Sequence, residues 1–415
     1  MSLRSLLPVT TRRGRPVLAA VVISSATVLA NLIAPSPAMA ADATVACGDV
    51  AGLRAAIVAA NTRPSAVIDL APGCRYSIGT ADNDETALPV VSSSLVVNGH
   101  GAQIVRSAGA PAFRLWRIAA TGRLTLNSLT VADGSASVGG GLFNDHGTLT
   151  LRDSDVTGNT ATLGGDAGGG GIYSTGTLEL VSTRVHDNSA VSSTDVAPGG
   201  GIDTEGTAEL RASRVDHNTT TSSVDSAIGS GISSGFGGTV TLDATLVDHN
   251  AASSPTFAGG AGIDNAGTIT LDSSQVAGNT ATSPGTASAA IYHVGPALNL
   301  NGSQVHDNMS TGVGVPGAGV YSGGQATLRR SQVFDNTARN TDPNAAAEGA
   351  GIFAAGGSNA LIGTLVTGNR AVGPNAQAGG IFELGTAQVT LTDSVVVANV
   401  PDNCRPRGAI PGCSD

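Results

Sequence analysis

The chain has 415 residues and a formal net charge of −10, with 13% charged residues, 3% aromatic residues and 57 glycines. All 21 of its basic Lys and Arg residues are arginine, which excludes Schiff-base chemistry on lysine and a phosphate-cradling P-loop. The acidic balance and the lack of a basic stripe exclude nucleic acid as an expected partner.

Residues 1–40 read as an export signal. Arg4, Arg12, Arg13 and Arg15 form a basic start, Val17 to Ala34 is mostly apolar, and Ala38-Met39-Ala40 fits a small-residue cleavage site. The Arg12-Arg13 pair points toward twin-arginine export, but Gly14-Arg15-Pro16 follows where apolar residues are expected. An uncleaved anchor is the alternative, since the apolar run is about as long as a short span. No later stretch is long and apolar enough to cross a membrane, so none is expected after cleavage.

Next, residues 49–61 predict a helix. Val50, Leu53, Ile57 and Ala60 fall on one face, and Asp49 stands at the N-cap position. Such a helix suits the open edge of a sheet. Ala66 to Leu70 and Leu95 to Val97 read as strands of irregular first coils.

From residue 139 a repeat sets in. GGGLFNDHGTLTL begins at Gly139, GGGIYSTGTLEL at Gly169, GGGIDTEGTAEL at Gly199, GSGISSGFGGTVTL at Gly229 and GAGIDNAGTITL at Gly260. The aliphatic anchors Leu142, Ile172, Ile202, Ile232, Ile263, Ile291, Val320, Ile352 and Ile381 follow one another at about 30 residues. A second landmark, Val156-x-x-Asn159, keeps the same beat through Asn188, Asn218, Asn250, Asn279, Asn308, Asn336, Asn369 and Asn399. Within each repeat, runs such as Thr148-Leu149-Thr150-Leu151 alternate with period two, and glycine interrupts every few residues. The pattern predicts short strands rather than helices. One repeat cannot bury its aliphatic face alone, whereas stacked coils can. The fold class expected is all-β, a single-stranded parallel β-helix of about nine to twelve coils with an N-terminal helical cap, its asparagines stacked as a ladder. The organisation expected is a signal peptide at 1–40, a cap and first coils at 41–118, repeats at 119–399 and a disulfide-closed tail at 400–415. With an export signal in front, four cysteines pair most economically as Cys47–Cys74 and Cys404–Cys413.

Two registers carry candidate chemistry. The residue after each anchor should point outward, and down the stack it reads Phe143, Tyr173, Asp203, Ser233, Asp264, Tyr292, Tyr321, Phe353 and Phe382. Tyr173, Tyr292, Tyr321 and Phe353 are candidates for stacking on sugar rings. Asp203 and Asp264, two coils apart, sit about 9.6 Å from each other along the backbone. That is near the carboxylate spacing of inverting glycosidases, about 6.5–9.5 Å. With Glu205 close by, these three are the candidate catalytic acids; solvated substitutions on an exposed face are the plain structural alternative. The second register, just before the asparagines, holds His186, Asp216, His217, Asp248 and His249 as weak metal candidates, or else a solvated polar ridge of Asp–His pairs. No cofactor is called for. Gly231-Ile232-Ser233-Ser234-Gly235 matches a nucleophile-elbow pattern but sits in a repeat coil instead of a strand-turn-helix.

At these residues the chain resembles secreted right-handed parallel β-helix proteins of the pectin-lyase-like superfamily. More closely, it looks like actinobacterial proteins with GGGI[YF]xxGTLTL…SxVxxNTA coils, and it is more distantly similar to the repeats of polymorphic outer-membrane adhesins. Cys47-Gly48-Asp49 with Leu53-Arg54-x-Ala56-Ile57 resembles the Cys-Ser-Leu-Arg-Glu-Ala-Ile opening of such proteins, with an insertion after the cysteine and Ala55 where glutamate is usual. Asp402-Asn403-Cys404 to Cys413 is similar to their closing segment. The resemblance implies right-handed coiling and a secreted or envelope location. No polygalacturonase motif set is complete, the missing lysine breaking its Arg-x-Lys element, and the acids are sparser than in calcium-dependent pectate lyases. The reading that follows is a non-catalytic solenoid that binds a polysaccharide or surface partner along one face. The alternatives are a lyase or hydrolase acting at Asp203 and Asp264, and a purely structural surface component.

Overall fold

The computed structural model describes residues 41–83, 85–163, 168–288 and 290–414, and the expected export segment lies outside the described residues. They form a right-handed parallel β-solenoid of about 12 turns. At the ~4.8 Å spacing of paired strands, that many turns make a rod roughly 58 Å long.

A central coil shows how the repeat becomes a turn. Ile202–Thr204 is the anchor strand, followed by Thr207–Arg211, Arg214–Asp216 and Thr219–Ser222. Each strand pairs in parallel with its counterpart one coil away, as in Ile172↔Ile202↔Ile232 and Leu180↔Leu210↔Leu242. Among the described residues the anchor strands form an eleven-stranded sheet, the next two strands of each coil share a 23-stranded sheet, and the fourth builds a nine-stranded sheet. Period-two alternation sends one set of aliphatics into the interior, so Leu178, Leu180, Val240, Leu242, Ile269 and Leu271 are fully buried.

Hydrogen-bonded columns hold the turns. Asn188 Nδ2 donates to Asn218 Oδ1 at 3.0 Å, Asn218 to Asn250 at 3.0 Å and Asn250 to Asn279 at 3.0 Å. Each of these oxygens also accepts the preceding asparagine's backbone N–H, and each Nδ2 also reaches a valine carbonyl on the coil before. The buried amides are thereby satisfied on both ends. A second column, of hydroxyls, fixes the bend inside the 23-stranded sheet. Ser274 Oγ, for example, accepts from Thr245 N and donates to Leu242 O. A polar column also runs inside the anchor sheet, where wholly buried His293 meets Asn265 Nδ2 at 3.0 Å and Gln325 O at 2.9 Å. Burial holds this imidazole below its usual range, in the neutral form.

Both ends are closed. The helix Val50–Ala60 begins where Asp49 accepts from Gly52 N at 2.8 Å, and it buries Leu53, Ile57 and Ala60. The Cys47–Cys74 bond ties its start to the first coils. At the other end the Cys404–Cys413 bond closes the tail, Ile410 is buried, and Asn403 receives the last rung of the ladder from Asn399 at 3.1 Å.

One addition departs from the basic coil. The segments leading into four successive anchors pair as a small four-stranded sheet: Ala197–Pro198, Ser226–Ile228, Phe257–Gly259 and Thr286–Ser288. It lies beside the coils that carry Asp203, Ser233, Asp264 and Tyr292.

Candidate functional site

The outward register of the anchor sheet is one continuous column. Arg117, Phe143, Tyr173, Asp203, Ser233, Asp264, Tyr292, Tyr321, Phe353, Phe382 and Arg405 occupy paired positions on successive strands. Rings separated by one strand spacing stack on each other. Phe143 and Tyr173 have centroids 5.3 Å apart; Tyr292–Tyr321, Tyr321–Phe353 and Phe353–Phe382 follow at 4.5, 5.5 and 5.2 Å. The Arg117 guanidinium lies 5.5 Å from the Phe143 centroid and ends the first stack. Within each stack the ring faces are taken by neighbouring rings, and Phe353, expected as a sugar-stacking ring, is 5% exposed and buried against Ala378 and Phe382, so of the inner rings only Tyr321 keeps a partly open edge. The Tyr173 and Tyr292 rings end the stacks that border the acid gap.

Across that gap the column becomes a pocket. About 430 Å³ of space is lined by Asp203, Ser233 and Asp264 on its floor. Val196, Pro198 and Ile228 from the small sheet and its approach form one wall, and Glu205, Ser234, Gly235, Phe236 and Ala266 complete the lining. Sequence reading put Asp203 and Asp264 two coils apart with Glu205 close to Asp203, and all three line this one cavity. The carboxyls differ in their bonding. Asp203 Oδ2 accepts from Gly168 N at 3.1 Å. Glu205 Oε1 accepts from the Tyr173 hydroxyl at 3.1 Å. Asp264 finds no hydrogen-bond partner among the described residues, although it is only 7% exposed. Burial pushes the Asp203 carboxyl up to about 7, against the pull of hydrogen bonds from Gly168 and Ser233. Burial, then repulsion from Asp203, pushes Asp264 up to about 7 as well. Burial and the negative charge of Glu205 and Asp203 raise the Tyr173 phenol, which stays a donor. Ser234 Oγ belongs to the inward polar column, in register with Thr204 and Asn265, and has no partner among the described residues.

This arrangement holds two carboxyls whose proton affinity burial raises to about 7, one of them also held by donors, inside a partly apolar cavity. Such a pair can exchange protons with a bound molecule. Ser233 lies between the acids on a strand of the coil; no helix follows it, and no histidine lines the pocket.

The second register resolves differently. Asp216 is taken by Arg184, whose Nε and Nη2 donate at 2.8 and 2.5 Å; Asp248 is held likewise by Arg214 at 2.9 and 2.6 Å. Burial pushes the Asp216 carboxyl up, but Arg184 and His217 outweigh this and leave it below its ordinary range. His217 and His249 bond to Asp216 and Asp248 at 2.7 and 2.6 Å and stack with centroids 5.2 Å apart, while His186 pairs with Asp187 at 2.6 Å. No group of three or more His, Cys, Asp or Glu among the described residues can hold a metal ion, so the metal expectation for His186, Asp216, His217, Asp248 and His249 is corrected to a ladder of ion pairs. The arginines occupy the acids that a metal would need. The residue before each ladder asparagine also has a left-handed backbone, with φ of 55° at His217, 54° at His249 and 63° at Gly278. Gly278, which stands in the series where the neighbouring coils carry His249 and Asp307, meets this same demand.

Sequence reasoning missed the pocket wall, Phe236 and the Arg184–Asp216 pairing. The Arg-Val-His and Arg-Val-Asp triplets at 184–186 and 214–216 were the available signal for the last. No family model matches the chain, and neither a curated protein nor a solved structure matches it.

Proposed function

We propose that this chain is an exported β-solenoid that binds a polysaccharide, seating a sugar in the pocket between the two aromatic stacks. The observation that carries the reading is the interruption of the column: three consecutive coils replace rings with small polar residues, and a cavity opens there under an added wall. A pocket with apolar sides and a few convergent polar groups is the form that small-molecule sites take. Two disulfides suit the oxidising compartment to which the N-terminal segment would direct the chain. The likeness to secreted β-helix proteins noted from the repeats agrees with this.

Hydrolysis at the same pocket is the second reading. It is favoured by one observation, two buried carboxyls with raised proton affinity on rungs about 9.6 Å apart along the backbone. Asp264 would act as the acid toward the glycosidic oxygen. Asp203 would act as the base toward water, the two-carboxylate arrangement of inverting enzymes.

The test incubates the protein lacking residues 1–40 with a panel of microbial and plant polysaccharides, scoring retention and new reducing ends together. Retention on one polymer without new ends, weakened roughly tenfold in Asp264→Asn, is the expected result. New reducing ends that vanish in Asp203→Asn and Asp264→Asn would establish the hydrolase instead. Neither retention nor new reducing ends on any polymer would sink both.

A further inference from the structure

We infer that the sugar taken by this pocket carries an ammonium group: a hexosamine with a free amine, and neither a uronate nor a sulfated sugar. The inference rests on the saccharide-binding reading above and adds the charge class. Three carboxyl side chains line the cavity, Asp203, Glu205 and Asp264, and no arginine or histidine does. The surroundings do not offset this, because residues 41–415 carry 17 arginines against 31 acidic residues, a net of −14. A uronate would add a further negative charge to a cavity with no cation to receive it.

Asp264 supplies the independent sign of a missing partner. Its carboxyl is 7% exposed and has no hydrogen bond from any described residue. That carboxyl opens on the cavity, where a bound molecule can reach it. A ligand that donates strongly would satisfy it, and an ammonium brings three donors and a compensating charge.

A metal ion is the rival cation, and the geometry disfavours it. Oxygen ligands must converge to about 2.0–2.6 Å from such an ion. Here the two aspartates are on rungs about 9.6 Å apart along the backbone, and no group of three acids or histidines among the described residues can close on a metal. A pyranose with its amine spans such a gap. The apolar wall of Pro198 and Ile228 suits its C–H face, and Phe236, 87% exposed at the lining, presents a ring to the cation.

The experiment is titration calorimetry with short soluble glucosamine oligomers, the same oligomers N-acetylated, and oligogalacturonate. The free-amine oligomers should bind at least about tenfold tighter than the acetylated ones. Their heat should also change with the ionisation enthalpy of the buffer, because the ammonium draws a proton off Asp264. Asp264→Asn, close to isosteric, should abolish both the preference and the buffer dependence. Equal binding of acetylated oligomers, or tighter binding of oligogalacturonate, would overturn the ammonium inference and leave saccharide binding intact. No binding of any oligomer, together with no retention on the polysaccharide panel, would overturn both.

Discussion

Asp203 and Asp264 tie the chemistry of the pocket to the stability of the coil. In the unfolded chain an aspartate titrates near 3.9, whereas burial pushes both carboxyls up to about 7 in the fold. Between those values the folded chain holds protons that the unfolded chain has released. Their contribution is therefore fully present below the ordinary carboxylate range and is lost as pH climbs through about 7. Asp216, held below its ordinary range, acts in the opposite sense and loses its contribution as pH falls. The expected outcome is a stability that declines from about pH 4 to pH 7, with a limiting slope of about 1.4 kcal/mol per pH unit for each carboxyl, read as a falling melting temperature. Asp264→Asn should flatten that decline. A decline of unchanged steepness in the variant would show that the carboxyl does not titrate where its burial puts it. The asparagines make a sharper residue-scale case. Asn250→Ala would leave both the backbone N–H and the Nδ2 of Asn218 without their acceptor and Val215 O without a donor. Each orphaned buried group costs about 1–3 kcal/mol, so denaturant unfolding should show a loss of roughly 3 kcal/mol or more. A loss under about 1 kcal/mol would mean that water replaces the rung.

At the scale of the strand and turn, much was legible because the coil is short and its demands repeat. The anchors, the asparagine beat and the N-capped helix at Val50–Ala60 all stand where the sequence pattern put them. The glycine clusters have separate reasons within one turn. Gly199 needs its left-handed φ of 60°. Gly201 is needed for space, since a Cβ there would lie 2.7 Å from Gly231 O and 2.9 Å from the Asn218 amide. Gly201→Ala should therefore cost about 1–3 kcal/mol, the usual range for overpacking, and should broaden the side-chain amide resonance of Asn218 in NMR spectra. An unshifted Asn218 amide would show that the coil spacing yields instead. The parts that sequence did not disclose depend on neighbours one coil away. Arg184 reaches Asp216, 32 residues on, and the two belong to different repeats. The wall over the acid gap is built from Ala197–Pro198, Ser226–Ile228 and Phe257–Gly259, whose sequences share no obvious strand pattern and pair only because the coils beneath them are stacked. The outward column was read correctly as a register. That its rings would stack on each other, leaving edges rather than faces, follows from the strand spacing.

A solenoid is stabilised mostly by contacts between adjacent turns, so its two ends decide whether the stack is closed or sticky. The N-terminal end has a helix over it. The C-terminal end depends on residues 400–415, which do three things at once. Cys404–Arg405 pairs with the last anchor strand at Ile381 and Phe382, Ile410 is buried, and Asn403 takes the final rung from Asn399. The strand before the tail stays partly open, with Val395 and Val397 53% and 46% exposed. Removing the tail would extend that apolar edge across the whole end of the rod. A chain ending at Asn399 should melt several degrees lower and associate with rising concentration, measurable by light scattering on a size-exclusion column. Replacing only Cys404 and Cys413 by serine separates the cross-link from the cover. By chain entropy a loop this short contributes roughly 2–3 kcal/mol, so that variant should melt lower yet stay monomeric while Asn403 and Ile410 remain seated. If the serine variant associates as strongly as the truncated chain, the disulfide itself keeps the cover closed. If neither associates, the exposed valines and the unpaired edge are harmless, and the tail serves the last coil's stability alone.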